Sequence, residues 1–84
     1  MLRITPTAGD AEPTLQLEGR LVEPWPAELL RAWREAAVGG NRVVLDLSGV
    51  TFVDAAGLAC LRDLRERGAV LRGCSAFINE LLKV

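Results

Sequence analysis

Two segments, Thr14 to Val22 and Arg42 to Ser48, alternate apolar and polar residues, and an amphipathic stretch of helix length separates them. A crossover of that length joins parallel strands, and such connections are right-handed. Parallel sheets covered on both faces are built from nearly continuous apolar strands. Here Leu15, Leu17 and Leu21 alternate with Gln16, Glu18 and Arg20, and Val43, Leu45 and Leu47 alternate with Val44, Asp46 and Ser48. One face of the sheet is therefore dry and the other at least partly wet. Helices belong on a single face, which excludes a standard doubly wound nucleotide-binding sheet.

The remaining segments fit that frame. Leu2 to Thr7 reads as a strand, and Pro6, which cannot donate to a ladder, puts it at an edge. Ala8 to Pro13 is a turn-forming linker, so the first two strands form a hairpin. Ala27 to Val38 reads as a helix with Pro26 in its first turn, Leu29, Leu30, Trp33, Ala36 and Ala37 inward, and Arg31 spaced to pair with Glu35. Gly39-Gly40-Asn41 ends it. Gly49 to Val53 is expected to be a loop. Asp54 then caps a helix running to about Arg67, with Gly57, Leu58, Cys60, Leu61 and Leu64 inward. Ala69 to Cys74 is a short strand, and Ser75 caps a last helix through Leu82, with Phe77/Leu81 and Ile78/Leu82 at i,i+4. The order is β-β-α-β-α-β-α, an α/β fold with a mixed sheet, and Gly19 is expected where a helix approaches a strand closely.

Length and charge limit what such a sheet can do. Eighty-four residues make one domain, 1–84. Ten Lys/Arg against eleven Asp/Glu leave a net charge of −1, which gives no field to steer nucleic acid or anionic lipid. There is no histidine and no tyrosine, which removes most acid–base and nucleophile-activating constellations. Asp46 and Asp54 lack the partners a catalytic carboxylate pair would need. Cys60 and Cys74 have no metal-ligand spacing and read as small buried hydrophobes in a reducing cytosol. No apolar run spans a bilayer, and the first residues do not read as a signal peptide, so a cytoplasmic location is expected. No cofactor and no enzymatic activity are expected.

The stretch Val43 to Leu58, VVLDLSGVTFVDAAGL, carries a more specific pattern. It resembles the signature of STAS domains: an apolar strand with Asp then Ser/Thr, a short loop, two apolar residues, then Asp-Ser-Ser-Gly-Leu. Asp46, Ser48, Phe52, Val53, Asp54, Gly57 and Leu58 match in place, and Leu15, Leu17, Gly19, Arg20 and Leu21 are similar to the family's second strand. The resemblance implies a right-handed βα superhelix with helices on one side. It also implies a non-enzymatic interaction module like the anti-sigma-factor antagonists. Those proteins bind an ATP-using anti-sigma kinase, which switches them off by phosphorylating the second serine of the motif. In this chain that position is Ala56, preceded by Ala55, so no phosphate can be added there.

The partner surface expected from this reading is Asp54, Ala55, Ala56, Ala59, Arg62 and Asp63. Small residues at a helix start let another backbone approach, and the charged residues below supply a polar rim. The implied partner is an anti-sigma factor or kinase. The alternative is the ATPase of a lipid-transporting ABC system, of which this chain would be the accessory STAS subunit. A homodimer through the last strand's open edge is a further option. Nucleotide binding, ascribed to some STAS domains, lacks a phosphate-cradling motif here.

Overall fold

A computed structural model of the chain describes residues 2–8, 12–38, 40 and 42–82. Its elements are β1 (Leu2–Ala8), β2 (Pro13–Leu21), α1 (Trp25–Ala36), β3 (Val44–Val53), α2 (Ala55–Glu66), β4 (Val70–Arg72) and α3 (Ala76–Leu82). The strands form one sheet in the order β1-β2-β3-β4, with β1 antiparallel to β2 and both later pairs parallel. This is the expected β-β-α-β-α-β-α mixed sheet, and Pro6 lies on its edge strand.

The alternating leucines explain why the helices gather on one face. Leu15, Leu17, Leu21, Leu45 and Leu47 are at most 1% exposed and meet Leu29 of α1, Leu61 and Leu64 of α2, and Ile78 of α3 in one cluster. Burying a side chain of this size is worth roughly 1.5–3 kcal/mol, so this cluster supplies most of the fold's favourable free energy. On the other face Glu18, Arg20 and Ser48 point away from the cluster, and all three are exposed. Among the described residues no polar or charged residue is buried. Val44 is buried on the polar side of β3, where alternation puts it with Asp46 and Ser48.

Several boundaries differ from expectation, each for a local reason. The hairpin pairing runs out to Ala8 opposite Pro13, so both ends of the expected linker are strand; residues 9–11 lie outside the described residues. Helix α1 starts at Trp25 because the Trp25 N–H donates to the Val22 carbonyl (2.8 Å) and closes the turn before Pro26. Arg31 pairs with Glu28, one turn earlier, rather than with Glu35. Of the expected Gly39-Gly40-Asn41 stop, residues 39 and 41 lie outside the described residues.

The largest difference is Gly49 to Val53, expected as a loop. These residues continue β3 alongside β2, with Val50, Phe52 and Val53 opposite Gly19, Arg20 and Leu21. Two register shifts, between Gln16 and Glu18 and between Gly19 and Arg20 on β2, absorb the extra residues. Such irregularities turn the strand locally, so Val50 and Val53 both reach the core although simple alternation separates them. Gly19 takes a positive φ of 107° at the second shift. Close helix approach is found at Gly57, where a Cβ would come within 2.3 Å of the Leu21 carbonyl oxygen. Only glycine lets the first turn of α2 sit that low on β2.

Candidate functional site

Strand β4 pairs only with Val44 to Asp46, the first part of β3. The second part of β3 therefore ends beside the start of α2, and the chain after β4 returns towards it. A Cβ on Gly73 would lie 2.9 Å from an Asp46 carboxylate oxygen and 3.0 Å from Ser48. This end of the sheet collects the sequence motif.

Asp54 holds it together. Its Oδ1 accepts from the Gly57 N–H (2.7 Å), capping α2, and its Oδ2 accepts from the Glu23 N–H (3.1 Å), tying in the β2–α1 connection. The Gly57 bond first, then the Glu23 bond, holds the Asp54 carboxyl below its usual value. Asp46 acts similarly earlier in the chain. It accepts from the Ser48 N–H (3.0 Å), and the bonds from the Ser48 backbone and hydroxyl lower its pKa, with Arg72 adding a smaller attraction. Thr51 donates its hydroxyl to the Gly19 carbonyl (3.2 Å). Both carboxylates and both hydroxyls thus have structural work.

After Asp54, Ala55 and Ala59 are exposed and Ala56 is half-buried, forming a low, side-chain-poor ledge on α2. Arg62 and Asp63 are placed differently from the open rim expected of them. The Arg62 Nη2 donates to the Leu81 carbonyl (2.8 Å), which fastens α2 to α3, and Asp63 accepts from the Arg67 Nε (3.0 Å). The structure therefore groups Asp54, Ala55, Ala56 and Ala59, while Arg62 and Asp63 lie further along α2 and are engaged within the chain.

Sequence reasoning missed a feature at the end of β3, just before the ledge in the chain. Phe52 of β3 and Phe77 of α3 stack with centroids 6.4 Å apart and planes 21° apart, and the Arg20 guanidinium lies 5.3 Å from the Phe52 centroid. The two residues are 41% and 50% exposed, which makes them the exposed aromatics among the described residues. Helical spacing pairs Phe77 with Leu81, but the face of α3 that enters the core is set by Ile78 and Leu82. The available signal was Arg20 on the wet face of β2. Its partner is visible only once the register shifts are known.

Neither cysteine points to chemistry. Burial pushes the Cys60 thiol up, with Asp63 adding to it, and burial also raises Cys74 against a smaller opposing effect of Arg65. Trp33 packs against the core with Arg67 over its ring (5.9 Å), and Trp25 is partly buried there too. Among the described residues no group of three or more His, Cys, Asp or Glu is arranged to hold a metal ion, and no helix is long and apolar enough to cross a membrane.

The family described as "Mlab, STAS domain" matches residues 4–84, nearly the whole chain. The chain belongs to the STAS family. Its fold is similar to the crystal structure of an antisigma-factor antagonist STAS domain from Rhodobacter sphaeroides, with a TM-score of 0.61 and 25% identity over 89% of this chain and 92% of that one. A crystal structure of Mglu shares the fold at a TM-score of 0.63 and 22% identity; 81% of this chain is covered, but it spans only 18% of that longer one. No curated protein sequence matches the chain. It is a protein–protein interaction module related to the anti-sigma-factor antagonists.

Proposed function

We propose that this STAS domain regulates a cytoplasmic protein partner by docking through the start of α2, and that it does so without a phosphorylation switch at that site. One observation carries the reading: Ala55 and Ala56 stand as a bare ledge at the helix start, shortly after the exposed Phe52 in the chain. A serine at the second position would let phosphate place nearly two negative charges in the interface. With Ala56 the domain stays permanently in the form equivalent to the unphosphorylated antagonist. The partner is then an anti-sigma factor or kinase, and the contact is controlled by the abundance of either protein.

A second reading is supported by the description of the matching family and by the same missing hydroxyls. In it the chain is the accessory STAS subunit of a lipid-transporting ABC system, and α2 docks on the transporter's ATPase.

Affinity purification from the native host, with the partner identified by mass spectrometry, separates the two. A sigma-regulating kinase supports the first reading and a transporter ATPase the second. Calorimetry with that partner then compares the wild type with Ala56→Glu. The carboxylate suits the helix N-terminus, so folding should change by less than about 1 kcal/mol. Buried unpaired in an interface, it should cost several kcal/mol and abolish binding. Equal affinity of Ala56→Glu and wild type would move the contact away from α2.

A further inference from the structure

We infer that Arg20, Phe52 and Phe77 form a clasp for a partner segment in which an apolar side chain is flanked by a carboxylate. The inference rests on the docking reading above and names the chemistry of its partner. The chain has only two phenylalanines, and both lie on the surface touching each other, while both tryptophans pack against the core. A stacked, half-exposed pair offers continuous apolar area, the usual composition of an interface centre. Arg20 gives that area a sign. Its guanidinium lies against the Phe52 ring, and among the described residues no ion pair or hydrogen bond engages it. A guanidinium above an aromatic ring, with no other partner, has N–H groups to offer a carboxylate, in the fork geometry that arginine favours. The start of α2, the positive end of its dipole, follows Phe52 closely in the chain. A membrane surface fits less well, because one cation in a chain of net charge −1 gives little attraction to anionic lipid.

The test uses fluorescein-labelled octapeptides with a central Leu or Phe flanked by Asp, by Asn or by Lys, titrated into the full chain. Asp-flanked peptides should bind about tenfold more tightly than Lys-flanked ones, the value of one charge-assisted contact, and the preference should shrink with added salt. Amide and aromatic NMR shifts should move at Arg20, Phe52 and Phe77. Arg20→Glu should reverse the preference, and Phe77→Ser should weaken all peptides while leaving the circular dichroism unchanged. Equal binding of the three peptide classes, or none, overturns the clasp. So does binding only to vesicles of phosphatidylglycerol, or concentration-dependent self-association lost in Phe77→Ser, since lipid or a second copy would then be the occupant. The two proposals fail separately. If Ala56→Glu abolishes binding of the purified partner and Arg20→Glu leaves it unchanged, the ledge stands and the clasp does not. If neither variant matters, docking at this end of the sheet is wrong.

Discussion

The two halves of β3 follow opposite rules. From Val44 to Asp46 the strand is paired on both sides, Val44 and Leu45 are buried, and alternating leucines fix its register. From Ser48 to Val53 it has, among the described residues, a strand neighbour on one side only, its pairing with β2 is irregular, and Phe52 is partly exposed. The first half builds the fold. The second, freed from β4, can place an aromatic side chain on the surface and present the start of α2. A small domain is only marginally stable, so it separates the two tasks along one strand.

That contrast breaks most easily at its buried end. Leu45→Ala removes a fully buried side chain between β2 and β4 and should cost about 2–5 kcal/mol, enough to leave a domain of this size barely folded. Phe52→Ala, on the same strand but 41% exposed, should cost less than about 1 kcal/mol. Urea denaturation of the two variants measures the difference directly. Comparable losses would mean that the second half of β3 is as structural as the first.

Gly57→Ala tests the junction between the halves. The added Cβ would meet the Leu21 carbonyl oxygen, a backbone atom that cannot swing aside, and the Val53 side chain at 2.9 Å. Overpacking of this kind should cost about 1–3 kcal/mol and lift the first turn of α2 off the sheet. Thermal unfolding gives the cost, and hydrogen exchange at Leu58 to Cys60 reports whether the turn has loosened. An unchanged melting temperature would show that β2 and α2 are not in contact there.

The acid response should sharpen the same boundary. Asp54 and Asp46 both have carboxyls held below their ordinary values by hydrogen bonds that exist only in the folded chain. A lowered folded pKa means that the stabilisation is complete above the unfolded value, near about 3.9, and is lost as pH falls through the folded value. Wild type should therefore lose stability as pH falls below about 4. Asp54→Asn should be less stable at neutral pH and show a shallower loss in that acid window. Identical slopes for wild type and variant would remove Asp54 as the clamp between Glu23 and Gly57.

Much of this was readable in the residues. The leucine alternation on β2 and β3 gave the one-sided packing, Pro6 marked the edge strand, and Asp54 and Ser75 had their cap roles from spacing alone; the Ser75 hydroxyl accepts from the Ile78 N–H. What was not readable depended on register. A strand that slips twice breaks the two-residue period, so Gly49 to Val53 looked like a loop, and the pairing of Arg20 with Phe52 could not be inferred. Phe77 reaches Phe52 only because the return from β4 brings α3 to the end of the sheet. Arg62 looked like a free rim residue because helical spacing shows which face a side chain takes, not that α3 would end beside it.

The smallest structural change carries the last test. Ala56→Ser adds one oxygen at a half-buried position in the first turn of α2, where a hydroxyl is well tolerated. The cost should be under about 0.5 kcal/mol. Wild type incubated with an anti-sigma kinase and ATP should remain unmodified, because the hydroxyls nearby are engaged: Thr51 with the Gly19 carbonyl and Ser48 with Asp46. The variant restores the hydroxyl at the place where the resemblance puts the phosphoacceptor, and phosphate there would sit favourably on the helix dipole. Intact mass and phosphopeptide mapping give the answer. Phosphate on the introduced serine of the variant alone would show that the ledge still fits a kinase of this class and favour the sigma-factor reading. No phosphate on either protein would favour the transporter ATPase. Phosphate on Ser48 or Thr51 of the wild type would show that the exposed half of β3 carries its own switch, and the unswitched reading would fall.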